Sequence, residues 1–155
     1  MGDWIFGCDI CQIVCPWNKP GAEASGILDE FHPRTELLNL QLEDELGLSG
    51  DEFSARFKAS PIKRTKRRGY LRNVSVALGN QKNELALPAL IKALEDQELL
   101  VRSHAAWALG EIGGKETITY LYQQLNEETE PVVIKATKDA INRIKRRRDN
   151  NDQTI

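Results

Sequence analysis

Val101-Arg102-Ser103-His104-Ala105-Ala106-Trp107-Ala108-Leu109-Gly110 carries the periodicity that decides the architecture. Its parts recur at one fixed shift of 31 residues. Ala108-Leu109-Gly110 answers to Ala77-Leu78-Gly79, Val101 to Val132 and Ala105 to Ala136. The flanking segment obeys the same rule, since Leu87-x2-Leu90-x3-Leu94 returns as Ile118-x2-Leu121-x3-Leu125. Apolar residues three and four apart share one face of a helix. A fixed period with that spacing inside it means stacked helix pairs. Five helices are expected, at about 62–79, 85–95, 100–112, 116–127 and 131–147. Gly79-Asn80, Gly110, Gly113 and Gly114 read as stops. Asp96 and Pro131 mark the turns inside the pairs.

A single helix pair cannot bury its apolar face alone, so stacking must build the core. Leu87, Leu90, Leu94, Leu109, Ile112, Leu121, Leu125 and Ile141 are the expected core. Ala105, Ala106, Ala108 and Ala136 are small enough to let neighbouring helices approach closely. The pattern from Asp96 through Val101-Arg102 to Ala105-Ala106-Trp107-Ala108-Leu109-Gly110 resembles the short HEAT-like repeats. That resemblance implies supporting roles for Asp96 and Arg102 at the turn. Trp107 reads as a core or groove residue in preference to a base-stacking one, and His104 as a helix-surface residue.

Upstream of the repeats, Thr35 to Leu46 reads as a helix capped by Thr35, with Leu37, Leu38, Leu42 and Leu46 in helical register. Ser49-Gly50-Asp51-Glu52 is a capping box, followed by a short helix through Phe53 and Phe57 that Ser60-Pro61 ends. Residues 19–34 are turn-rich and read as a linker, with His32 a packing or surface residue.

All three cysteines sit in Gly7-Cys8-Asp9-Ile10-Cys11-Gln12-Ile13-Val14-Cys15-Pro16-Trp17-Asn18. The spacing Cys-x2-Cys-x3-Cys-Pro is the latter part of the bacterial two-cluster run, in which the cysteine before proline ligates the other cluster. Cys8 and Cys11 therefore read as ligands of one cluster and Cys15 as a ligand of a second. The donor set is incomplete, because a cubane takes four thiolates. Further ligands are expected from sequence preceding this segment or from another polypeptide. A zinc site of three cysteines and His32 is one alternative. A thioredoxin-type pair lacks its strand–helix context, and three structural cysteines are another reading.

The run from Asp3-Trp4-Ile5-Phe6-Gly7 through Cys15-Pro16-Trp17-Asn18 resembles the second cluster motif of the epoxyqueuosine reductases. The resemblance extends over most of the chain, to about Ile144. It implies a C-terminal part of a tRNA-modifying oxidoreductase that makes queuosine at the wobble position. In that family a cobalamin domain and a ferredoxin-like domain with two [4Fe-4S] clusters precede a HEAT-like domain. The fold class that follows is all-α: a HEAT-like helical-repeat solenoid over residues 35–147. An incomplete ferredoxin-like iron–sulfur segment, 1–18, precedes it, and a disordered tail, 148–155, closes it. The family's cobalamin domain, first cysteine run and catalytic acid have no counterpart in this sequence, so this chain alone is expected to be inactive.

A net charge of −2 hides two polarised zones. Eight acids stand against Arg34 between Leu28 and Glu52, whereas Lys58, Lys63, Arg64, Lys66, Arg67, Arg68 and Arg72 occupy a stretch without an acid. On one continuous helix, Lys63 and Arg67 would share a side, with Arg64, Arg68 and Arg72 in a row beside them. Such a single-sign row repels itself, and an anionic partner would offset that cost. The expected RNA-binding residues are Lys63, Arg64, Lys66, Arg67, Arg68 and Arg72, with tRNA the partner the resemblance implies. Lys145 to Arg148 form a second basic cluster. No apolar run is long enough for a membrane helix. Clustered odd cysteines argue against a disulfide framework and for a reducing cytoplasm. The competing reading is a non-catalytic HEAT-like adaptor with relic or zinc-binding cysteines.

Overall fold

The computed structural model describes Gly2, residues 4–17 and residues 40–152. The expected linker, His32, and the start of the helix expected from Thr35 lie outside these. Eight α-helical elements are present among the described residues, and no strand. They are α1 (Ile10–Ile13), α2 (Leu42–Glu45), α3 (Gly50–Arg56), α4 (Lys66–Gln81), α5 (Leu87–Ala93), α6 (Leu99–Ile112), α7 (Thr117–Glu127) and α8 (Pro131–Asp152). The repeats form three pairs, α3–α4, α5–α6 and α7–α8. The second helices α4, α6 and α8 lie side by side, with α6 in the middle, and α5 and α7 pack on the outside. This is the expected HEAT-like solenoid.

The local signals act as read. The Ser49 hydroxyl accepts from the Glu52 N–H at 3.2 Å, and the Ser49 N–H donates back to the Glu52 carboxylate at 2.8 Å. That capping box satisfies two of the donors a helix start leaves open. Pro88 and Pro131 sit in first turns, where a missing N–H costs nothing. The core contains Leu78, Leu90, Leu109, Leu121 and Ile144, each worth about 1.5–3 kcal/mol when fully buried. Leu94 and Ile141 are also buried, while Leu87, Leu125 and Ile112 are only partly covered. At the first pair, Phe53, Phe57 and Tyr70 form a three-ring cluster with centroids 4.9–5.7 Å apart.

Three expectations change. Gly79 and Gly110 do not stop helices; α4 runs on to Gln81, closed by Lys82 in the left-handed region, and α6 runs to Ile112. Both glycines instead mark close approaches. A Cβ at Gly110 would lie 2.8 Å from the Cα of Ala140 on α8, and one at Gly79 would lie 2.6 Å from Trp107 Cζ3. The tail expected to be disordered from residue 148 continues α8 to Asp152. Arg147 anchors that turn by donating to the carbonyls of Gly110, Glu111 and Gly113 at the end of α6. The helix expected over 62–79 is divided: Pro61–Thr65 is a 3-10 segment, and Lys66, at φ 56°, breaks the path into α4.

Candidate functional site

The cysteine segment forms one helical turn. Gly7 and Asp9 take positive φ, and the N–H groups of Gln12 and Ile13 then close onto the Asp9 carbonyl at 2.8 and 2.9 Å. Cys11 lies on that turn, Cys8 just before it, and Cys15 just after, ahead of Pro16. All three thiols are free; Cys8 and Cys11 are exposed and Cys15 is half-buried. The segment is tied to the repeats at its start. Asn73 Nδ2 donates to the Ile5 carbonyl and Asn80 Nδ2 to the Gly2 carbonyl, each at 2.6 Å, and Ile5 packs on the core.

Among the described residues, no three His, Cys, Asp or Glu side chains converge on a metal position. Soft sulfur donors free of disulfides nevertheless suit iron. The set fits as a partial one, to be completed by donors from elsewhere. Trp4, Phe6, Ile10, Ile13, Val14 and Trp17 are exposed around it, Trp17 to 92%. Trp4, Phe6 and Trp17, being exposed, would keep water from a cluster only beneath a covering surface.

The basic stretch is rearranged by the break at Lys66. Ser60 caps the 3-10 segment by accepting from the Ile62 N–H at 3.3 Å, and the Thr65 hydroxyl donates to the Ile62 carbonyl at 2.7 Å. Lys63 and Arg64 thus lie before α4, and the single row through Arg64, Arg68 and Arg72 does not form. Arg68 and Arg72 keep their i, i+4 relation on α4. Lys63, Arg64, Lys66 and Arg68 are exposed.

Arg67 differs from these. Its Nε donates to the Leu48 carbonyl at 2.6 Å, and its two terminal nitrogens donate to the Asp96 carboxylate at 3.1 and 2.5 Å. It clamps the first pair to the α5–α6 turn. Arg72 is half-buried, and its Nε is buried without an acceptor. Asp96 also accepts from the Glu98 N–H at 2.9 Å, and Arg102 donates to the Asp96 carbonyl at 2.9 Å. The supporting roles of Asp96 and Arg102 are therefore present.

Two structural ion pairs were not anticipated from the sequence. Buried Glu45, 3% exposed, accepts from the Tyr70 hydroxyl at 2.9 Å and from Arg56. Its carboxylate and burial push the Tyr70 phenol well above the ordinary range, burial contributing most. Arg102 binds Glu128 through two bonds of 2.7 and 3.0 Å. Those bonds pull the Glu128 carboxyl down to about 2. Arg56, Tyr70 and Glu128 lie 11, 25 and 26 residues from their partners, too far for a local spacing signal.

A model of HEAT repeats matches residues 69–142. Epoxyqueuosine reductase of Xanthomonas campestris is 39% identical over 114 residues, covering 73% of this chain and 32% of that protein. The reductase of Pseudomonas aeruginosa is 41% identical over 110 residues, covering 70% of this chain and 30% of that protein. The chain spans about a third of the length of these curated relatives. Among solved structures, an epoxyqueuosine reductase crystallised with an epoxyqueuosine-modified tRNA-Tyr stem loop matches with a TM-score of 0.85. Its identity is 30%, over 93% of this chain and 38% of that one. The helical repeats of this chain are thus similar to the C-terminal part of the epoxyqueuosine reductases.

Proposed function

We propose that this chain supplies two parts of a cytoplasmic tRNA epoxyqueuosine reductase: thiolates for iron–sulfur clusters and a repeat surface for the tRNA. The observation that carries the reading is the likeness, over 93% of the chain, to a reductase crystallised with a tRNA stem loop. Cys8 and Cys11 would hold one [4Fe-4S] cluster and Cys15 a second, the other thiolates coming from the rest of the reductase in cis or in trans. The clusters, when bound, pass single electrons. Cobalamin belongs to that remaining part, so this chain carries no group that reduces the epoxide. Its exposed Trp4, Phe6 and Trp17 would be covered by the same remaining part, which excludes water from the thiolates.

Lys63, Arg64, Lys66 and Arg68 would contact phosphates, with Arg72 behind them. Arg67 is excluded from that set because Leu48 and Asp96 hold it. Phosphate contacts position an RNA without reading its sequence, and they are salt-dependent. Titrating a tRNA stem loop by fluorescence anisotropy at several salt concentrations tests this. Changing Lys63, Arg64, Lys66 and Arg68 together to Ala should flatten the plot of log affinity against log salt by about 3. An unchanged slope would place the RNA elsewhere.

The thiolates are tested separately, in the chain joined to the upstream part of a related reductase and prepared without oxygen. Cys15→Ser should lower both iron and sulfide content. Zinc in place of iron, or iron content that ignores all three cysteines, would favour the adaptor reading.

A further inference from the structure

Between α4, α6 and α8 lies a groove of about 460 Å3, bordered by Val76, His104, Trp107, Val132, Lys135 and Arg143. We propose that this groove receives one unstacked base of the bound RNA, stacked on Trp107 and hydrogen-bonded at His104. The inference rests on the RNA reading above and adds a second mode of contact to it.

Trp107 is not an indole that the repeat requires. The equivalent positions one repeat before and after hold Val76 and Lys138. Trp107 is only half-buried, and its ring lies against Gly79, where a Cβ would come within 2.6 Å of Cζ3. The absence of that Cβ seats the ring against the α4 backbone while it still lines the groove. An aromatic face held in advance stacks a base with little further ordering cost.

The polar groups suit a nucleotide. His104 Nδ1 is 2.8 Å from the Leu100 carbonyl, which orients the ring and leaves Nε2 as the acceptor of a neutral imidazole. Burial holds this histidine below its ordinary pKa, the bond to Leu100 opposing and the Arg72 charge adding to the effect. Asp139, also on the groove wall, offers an acceptor for a base amino group. Lys135 lies at the rim, as does Arg143, which is paired with Glu111 yet 45% exposed. On α4, Arg68, Arg72 and Val76 follow one another at i, i+4 spacing, so the cationic row leads from the basic stretch to the groove wall. The buried Arg72 Nε without an acceptor stands along that path. Cations on both sides of an aromatic-walled slot match a base flanked by its phosphates.

Val132→Trp tests the inference, because Val132 is 53% exposed and its enlargement fills the groove mouth without entering the core. Stem-loop affinity should fall roughly tenfold, the order expected for losing one stacked base, with the salt slope unchanged. Wild-type affinity in this variant would overturn the proposal. A second measurement uses Trp4→Phe with Trp17→Phe, which leaves Trp107 the single indole of the chain. Adding the stem loop should quench its emission. Binding seen by anisotropy without quenching would overturn the base site and leave the phosphate contacts standing. A wild-type chain that binds no stem loop at low salt would overturn both readings.

Discussion

Gly110 shows how one missing methyl group sets the distance between two helices. Alanine is favoured over glycine inside a helix by about 1 kcal/mol. Here a Cβ would meet the backbone of Ala140 at 2.8 Å, and overpacking of that kind costs about 1–3 kcal/mol. Overpacking should win, so Gly110→Ala lowers the thermal midpoint by a few degrees. Gly114→Ala, with open space around it, should leave the midpoint nearly unchanged. A calorimetric scan of both variants checks the contrast. Arg67 gives a second residue-scale expectation. Removing one partner of a largely buried ion pair costs about 3 kcal/mol. Arg67→Ala should therefore lower the unfolding free energy read from urea titration by that order, while the RNA salt slope stays as in the wild type. The sequence marked Arg67 as one of several like charges; only its contact with Asp96, 29 residues away, separates it from them.

At the scale of elements, the turn between α7 and α8 is held by Glu128, which binds Arg102 and accepts from the N–H groups of Thr129 and Glu130, each at 3.1 Å. Its folded pKa of about 2 lies below the ordinary carboxyl value of 4.5. A depressed carboxyl stabilises the fold above its unfolded pKa and loses that contribution as pH falls through the folded one. Stability should decline between about pH 4.5 and pH 2, and Glu128→Gln should flatten that decline, as read from urea midpoints across this range. The repeat helices themselves were legible within a few residues, because apolar spacing and capping residues act locally. The division of the basic stretch was not. Thr65 hydrogen-bonds back to Ile62, and Lys66 takes a positive φ that no side-chain pattern announces.

For the whole molecule, the cysteine segment and the groove both border α4. The first is fastened to α4 by Asn73 and Asn80, so helix and segment should lose order together. Asn73→Ala removes a largely buried donor and should speed amide hydrogen exchange across residues 4–15 more than across α7, a comparison that exchange mass spectrometry resolves. The exposed apolar side chains beside the cysteines mark where a further surface is expected to cover them. Among the described residues, no helix is long and apolar enough to cross a membrane.

The sequence by itself determined the helical-repeat architecture, the repeat period, the capping box and the cysteine spacing. Each of these depends on residues within one or two turns of each other, or on a repetition that can be counted along the chain. Tertiary structure alone decided which arginines are held internally, which glycines separate helices and which aromatic side chain lines a groove. Those properties depend on what packs against a residue from a neighbouring helix, as Ala140 does against Gly110 and Asp96 against Arg67.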